Sequence, residues 1–209
     1  MRSPESRPAA AHPSPGPRAA AGHTAPDRRQ GLVLAAYRLL ASRGFEGLRT
    51  RDVAAEVGVN IATLHYYFPT KELLIRAVLE HAMGRFRSTM NPAGRTGDLL
   101  RAHFDGVVRL HREEPELFAV MGELHLRSAR DPVIRGIVGD TRDTWRRSVR
   151  GLLQKAVKEG SLPALRDPDA TASLVVAVLT GAFMLPLGRP ENVRDAVREL
   201  QRYLGLLPS

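Results

Sequence analysis

Thr50, Asn60, Ile61, Ala62, Thr63, His65, Tyr66, Tyr67 and Lys71 crowd into one short stretch, TRDVAAEVGVNIATLHYYFPTKE, from residue 50 to residue 72. Their chemistry suits gripping rather than bond breaking. Hydroxyls, an amide and an imidazole can donate and accept hydrogen bonds, small apolar groups can touch a thymine methyl, and a lysine can neutralise a phosphate. Gly58, between two short helical patterns, supplies a turn position free of Cβ restriction, and Asn60 can accept from the orphan amides opening the next helix. The pattern is that of a helix-turn-helix, whose first helix braces on the DNA backbone while its second lays side chains on base edges. On this reading Thr63 and Tyr66 offer hydrogen bonds, and Ile61 and Ala62 reach a methyl. Thr50, His65, Tyr67 and Lys71 reach phosphates.

The elements that must position these groups can be read outward from the turn. Asp27, three residues before Gln30, resembles a capping box, and Leu32, Ala36, Leu39 and Leu40 follow at helical spacing, so the first helix is expected to end near Gly44. Thr50 is expected to cap the second helix, with Asp52 in its first turn and Val53, Ala54 and Val57 as its buried stripe. The recognition helix spans about Asn60 to Tyr67. Leu64, Tyr67 and Phe68 anchor it inward, Ile61, Thr63 and Tyr66 face outward, and Pro69 ends it. Thr70 caps a fourth helix through about Met90, with Leu74, Ala77, Val78 and His81 along one side. Asn91, Pro92, Gly94 and Gly97 then break the pattern. Further helices are expected over about Asp98 to Arg112, Pro115 to Arg130, Pro132 to Glu159, Asp167 to Leu185 and Pro190 to Leu204. Gly136, Gly139 and Gly151 weaken the third of these. No strand alternation stands out, so the fold class is all-α. Residues 1–27 form a tail, 28–90 a helix-turn-helix domain with its connecting helix, and 91–209 a helical regulatory domain.

Composition narrows the function classes. The 209 residues are 43% hydrophobic, enough for a sizeable core. Lys and Arg number 31, 28 of them Arg, against 22 Asp and Glu, for a formal charge of +9 that favours polyanionic partners. The absence of cysteine removes disulfides and cysteine-based metal sites or nucleophiles, and fits a cytoplasmic location. Residues 1–27 hold six of the fifteen prolines, the composition of a disordered tail. The uncharged run from Ala170 to Leu187 is interrupted by Thr171, Ser173, Thr180, Gly181 and Pro186. It reads as a buried helix rather than a membrane span.

The motif string is more specific than a generic helix-turn-helix. Thr50, Gly58-Val59-Asn60, Leu64-His65-Tyr66-Tyr67-Phe68 and Lys71-Glu72 resemble the DNA-binding domain of the TetR family of bacterial transcriptional regulators, over residues 28 to about 80. Two positions depart from that pattern. His65 stands where tyrosine is common, and Ala62 where glycine is common, which changes phosphate geometry and backbone approach.

The resemblance implies a homodimer that reads a palindromic or near-palindromic operator in double-stranded DNA, and a small-molecule effector in the C-terminal half. Val193, Val197, Leu200 and Leu204 repeat at 4-3-4 spacing, the seam of a helix-helix contact. With Leu174 and Val178 of the uncharged helix they are the candidate dimer interface, the alternative being an intramolecular core. Phe118, Met121 and His125 fall at i, i+3 and i+7. Together with His103, Phe104, Trp145, Phe183 and Met184 they are candidates to line an apolar pocket with a polar handle. The histidines lack the i, i+4 pairing of a helical metal site, so no metal, cofactor or catalytic residue is expected. Two other classes stay open. One is a helical enzyme with a basic face, although no catalytic or nucleotide motif stands out. The other is a helical interaction protein that does not read DNA.

Overall fold

The structure, a computed structural model, describes residues 25–90, 94–184 and 190–208, and no side chain of residues 25, 26, 183 or 190. The expected tail up to residue 24 and the end of the uncharged run lie outside the described residues, as does the side chain of Phe183. Every regular element among the described residues is a helix. These are α1 (Ala25–Gly47), α2 (Thr50–Val57), α3 (Ile61–Tyr67), α4 (Lys71–Arg87) and α5 (Thr96–Glu113), followed by α6 (Pro115–Ser128), α7 (Pro132–Lys158), α8 (Pro168–Met184) and α9 (Pro190–Tyr203).

Local chemistry sets most of the helix ends. α1 begins ahead of Asp27, which stands in the first turn rather than at the cap and there suits the helix dipole. The helix bends at Gly44, whose φ of 67° and ψ of −176° favour a residue without a Cβ. Beyond the bend, the amide of Leu48 bonds to the carbonyl of Phe45, and Phe45 and Leu48 bury their side chains under the connection. Thr50 is not the cap of α2. That position is taken by extended Arg49, at φ −103° and ψ 131°, which makes no side-chain capping bond, and Thr50 is the first helical residue. The glycines of α7 do not break it, and the helix runs 27 residues. Its N-terminus is fixed by Asp131, whose Oδ1 accepts from the amides of Val133 and Ile134.

α1 lies against α2, α4 and α6, α5 against α9 and α6, and α7 against α6 and α8. One apolar core runs through all of them, from Leu32 and Leu64 at the N-terminal end to Leu153 and Leu204. Each such side chain contributes about 1.5–3 kcal/mol through removal from water. The join between α4 and α5 is especially close. A Cβ at Gly106 would lie 2.4 Å from the Thr89 Cβ, so only glycine lets the two segments meet this tightly. The Thr89 hydroxyl donates to the Phe86 carbonyl at 2.7 Å and faces His103 Nδ1 at 2.5 Å.

Candidate nucleic-acid interface and regulatory cavity

The turn between α2 and α3 uses both local devices that its sequence suggests. Gly58 closes α2 in the left-handed region at φ 72°, and its amide bonds to the carbonyl of Ala55. Asn60 Oδ1 caps α3, accepting from the Thr63 amide at 2.7 Å and from the Thr63 hydroxyl at 2.9 Å. The Thr63 proton is thus taken, and the oxygen is left to accept. Leu64 and Phe68 are fully buried and fix the helix inward. Ile61, Ala62, His65 and Tyr66 share its exposed side, Tyr66 at 80% exposure and Ile61 at 42%. Tyr67 is half-buried and meets the Tyr66 ring edge-on at 5.1 Å. The helix carries no carboxylate, and nearby Arg49 and Arg51 are exposed and outside every ion pair among the described residues. This is a carboxylate-free, hydrogen-bonding ridge flanked by free guanidinium groups, a surface suited to base edges and phosphates.

Lys71 sits differently from its expected phosphate role. Its ammonium lies 4.4 Å from the centroid of the Phe45 ring, and burial first, then the Arg127 charge, hold its pKa below the usual lysine value. Arg127 of α6 stacks on the same ring at 4.5 Å and pairs with Glu46. Glu123, also of α6, accepts from the Phe45 amide at 2.8 Å, just beyond the Gly44 bend. This joint ties α1 and the start of α4 to α6. Thr70 Oγ1 caps α4 by accepting from the Leu73 amide. α4 thus starts at the end of the recognition helix and runs into the second half of the chain.

There α4 and α7 form the walls of a cavity of about 750 Å³, within the range of small-molecule sites. Met83, Met90, Ile137, Trp145 and Leu152 provide its apolar surface, and Arg76, Glu80, Arg87, Asp140 and Lys155 its charges. The hydroxyls of Thr141, Thr144 and Ser148 donate to carbonyls one turn back in their own helix. Of the expected pocket residues, Trp145 lines this cavity. Met121 and His125 instead border an adjoining void of about 10 Å³, room for no more than about one water. His125 donates from Nδ1 to the Met121 carbonyl at 2.8 Å, and burial holds its pKa down. His103, Phe104 and Phe118 are corrected to core. They are nearly fully buried beside the end of α4, where burial pushes the His103 pKa down to about 4. Met184 is exposed at 44%. Met83 and Met90 escaped the sequence reading. Their signal was a pair of methionines seven residues apart, one on the helix leaving the motif and one just past its end.

The expected dimer seam also divides. Val193, Val197, Leu200 and Leu204 are at most 5% exposed in the single chain, because α9 lays this stripe on its own α5 and α8. They leave no surface for a partner, and the intramolecular alternative holds for them. Leu174 is 41% exposed and Val178 half-buried. Leu174 falls on a line along α8 with exposed Ala170, Ala177 and Met184 and partly exposed Gly181, an apolar strip on the surface.

Comparison with known proteins agrees with this architecture. Residues 32–78 match the family described as "Bacterial regulatory proteins, tetR family", and residues 97–207 match "BetI-type transcriptional repressor, C-terminal". The nucleoid occlusion factor SlmA of Haemophilus influenzae is 27% identical over 162 residues, which cover 75% of this chain and 73% of SlmA. A TetR-family transcriptional regulator from Rhodococcus sp. superposes with a TM-score of 0.76 at 24% identity, covering 87% of this chain and 98% of its own. A transcriptional regulator from Saccharomonospora viridis, solved in complex with choline, superposes with a TM-score of 0.64 at 23% identity, over 84% of this chain and 95% of its own. With a capped helix-turn-helix in its first half and the helical C-terminal pattern matched over more than half its length, the chain belongs to the TetR family of DNA-binding transcription regulators.

Proposed function

We propose that the protein is a ligand-responsive repressor, acting in the cytoplasm as a homodimer on a palindromic or near-palindromic operator and released by a small molecule in the α4–α7 cavity. One observation carries this reading: only three residues separate α4 from the recognition helix, and the same helix forms a wall of the cavity. A guest that fits one setting of α4 better than another shifts the population of head positions by its differential affinity. Repression needs only occupancy of the operator, which blocks other proteins sterically. The apolar strip of α8 supports pairing of two chains about a two-fold axis, which would present two recognition helices to two half-sites. Among the described residues no helix is long and apolar enough to cross a membrane.

Selection of genomic fragments bound by the full chain, followed by affinity measurement on the best short palindrome, tests this function. Sequence-selective binding should fall steeply with salt as neutralised phosphates regain their counterions, and sedimentation should give a dimer at micromolar protein. Binding that is weak and indifferent to sequence would favour an interaction protein that does not read DNA. A monomer on the operator would remove the two-fold arrangement.

A further inference from the structure

The α4–α7 cavity is elongated and unevenly charged. Its α4 wall runs from Arg76 to Arg87, with Met90 just past the helix end, and its α7 wall runs from Ile137 to Lys155. At the helical rise the α4 lining is about 17 Å long and the α7 lining about 27 Å. Methionine, isoleucine and leucine side chains give it a hydrocarbon lining, and Trp145 is the one aromatic among the described residues that line it. A quaternary ammonium is held by several aromatic faces gathered round the cation, and a single indole cannot enclose one. Three cations, Arg76, Arg87 and Lys155, also stand against two carboxylates, Glu80 and Asp140, so a positive guest meets net repulsion.

The ion pairs that restrain these cations are solvent-exposed and of the weak kind. Arg76 lies 3.4 Å from Asp140, and Arg87 lies 2.7 Å from Glu80. Lys155 is held least. Its Nζ stands 3.7 Å from Glu159 Oε1, beyond hydrogen-bond distance, while the other oxygen of Glu159 accepts from the Thr96 amide at 2.9 Å.

We propose that this cavity takes an elongated amphiphilic anion, with its hydrocarbon chain along the Met83, Trp145 and Leu152 lining and its carboxylate drawn to Lys155. The proposal rests on reading the cavity as the effector site and names the chemical class of the effector. It separates this chain from a regulator built for a small cation.

Trp145 is the only tryptophan of the chain, so its emission reports on this cavity directly. Titration of the full chain with dodecanoate, below its micellar range, should give a saturable change in emission. Dodecyltrimethylammonium and dodecan-1-ol carry the same chain and should bind more weakly, by up to about fivefold for the uncharged alcohol, the effect of one exposed charge pair, and choline should give no change. Lys155→Gln should weaken dodecanoate about fivefold while leaving dodecan-1-ol binding and the thermal midpoint unchanged. Equal or tighter binding of the ammonium amphiphile, a saturable response to choline, or no response to dodecanoate overturns the proposal. Release of bound operator DNA is the second readout. Dodecanoate that binds without release supports the ligand class and removes the effector role. Release by a cationic compound, with no binding of dodecanoate, keeps the effector role and removes the anionic class.

Discussion

Helices α3 and α9 each carry a regular apolar stripe, but they differ in what they leave to solvent: mostly apolar and hydrogen-bonding groups on α3, mostly charges on α9. α9 and the turn after it sink Val193, Val197, Leu200 and Leu204 into their own chain, and apart from Tyr203 and Ala196 the exposed surface of the helix is largely charged. α3 sinks Leu64 and still turns Tyr66 and Ile61 to solvent, and it carries no carboxylate, lysine or arginine. A stripe therefore locates a buried face without saying whose surface covers it. Surplus apolar and hydrogen-bonding groups on the opposite face are what mark a helix as having an outside partner.

The contrast can be broken most forcefully just past the end of α9, at the last residue of its stripe. Leu204 is fully buried, so Leu204→Ala should destabilise the fold by about 2–5 kcal/mol in chemical denaturation, through lost transfer energy and a cavity. Leu174→Glu, on the α8 strip, should instead shift sedimentation toward monomer with far less effect on the fold. If the two variants exchanged phenotypes, α9 would be the interface after all.

Next in size is the acid response of the buried α5 face. The His103 pKa is about 4 in the fold against 6.5 for the free side chain. Stability is complete above the unfolded value, and it drops as pH falls from about 6.5 to 4, because only the unfolded chain takes up the proton. That window is worth roughly 3 kcal/mol at about 1.4 kcal/mol per pKa unit. In His103→Leu the difference in unfolding free energy between pH 7 and pH 4.5 should shrink by most of that amount. An unchanged difference would assign the acid response to other groups.

At the reading face, stability and binding should come apart. Tyr66→Phe should leave the melting temperature unchanged and lower operator affinity by about 1–3 kcal/mol if its hydroxyl reads a base edge. Equal affinities would remove that role from Tyr66. The smallest effect belongs to the cap. Asn60→Ala loses the acceptor of the Thr63 amide and should reduce stability by about 1 kcal/mol, with a matching small loss of DNA affinity.

These sites also mark where sequence is informative. Gly58, Asn60 and Thr70 act on amides within a few residues, so their roles follow from neighbours along the chain. Thr50 missed by one position because the path after the Gly44 bend decides which residue is extended, and that path depends on α6. The cavity was almost illegible. Its walls lie some sixty residues apart in sequence, and Thr141, Thr144 and Ser148 look like any solvated helix face until α4 is placed opposite them. Buried aromatics such as Phe104 and Phe118 satisfy a pocket composition and a core composition equally well, and only packing separates the two.

The clamp at the Gly44 bend bears on how such regulators could be recombined. The sequence break after Met90 invites a cut there, with one reading head traded for another. A hybrid joined at that point would carry Phe45 and Glu46 away from the Glu123 carboxylate and the Arg127 guanidinium that hold them. The inherited unit is therefore larger than the motif. A head transplanted with its own α6 face should keep its bearing on DNA, whereas one transplanted alone must find a substitute for a carboxylate and a guanidinium.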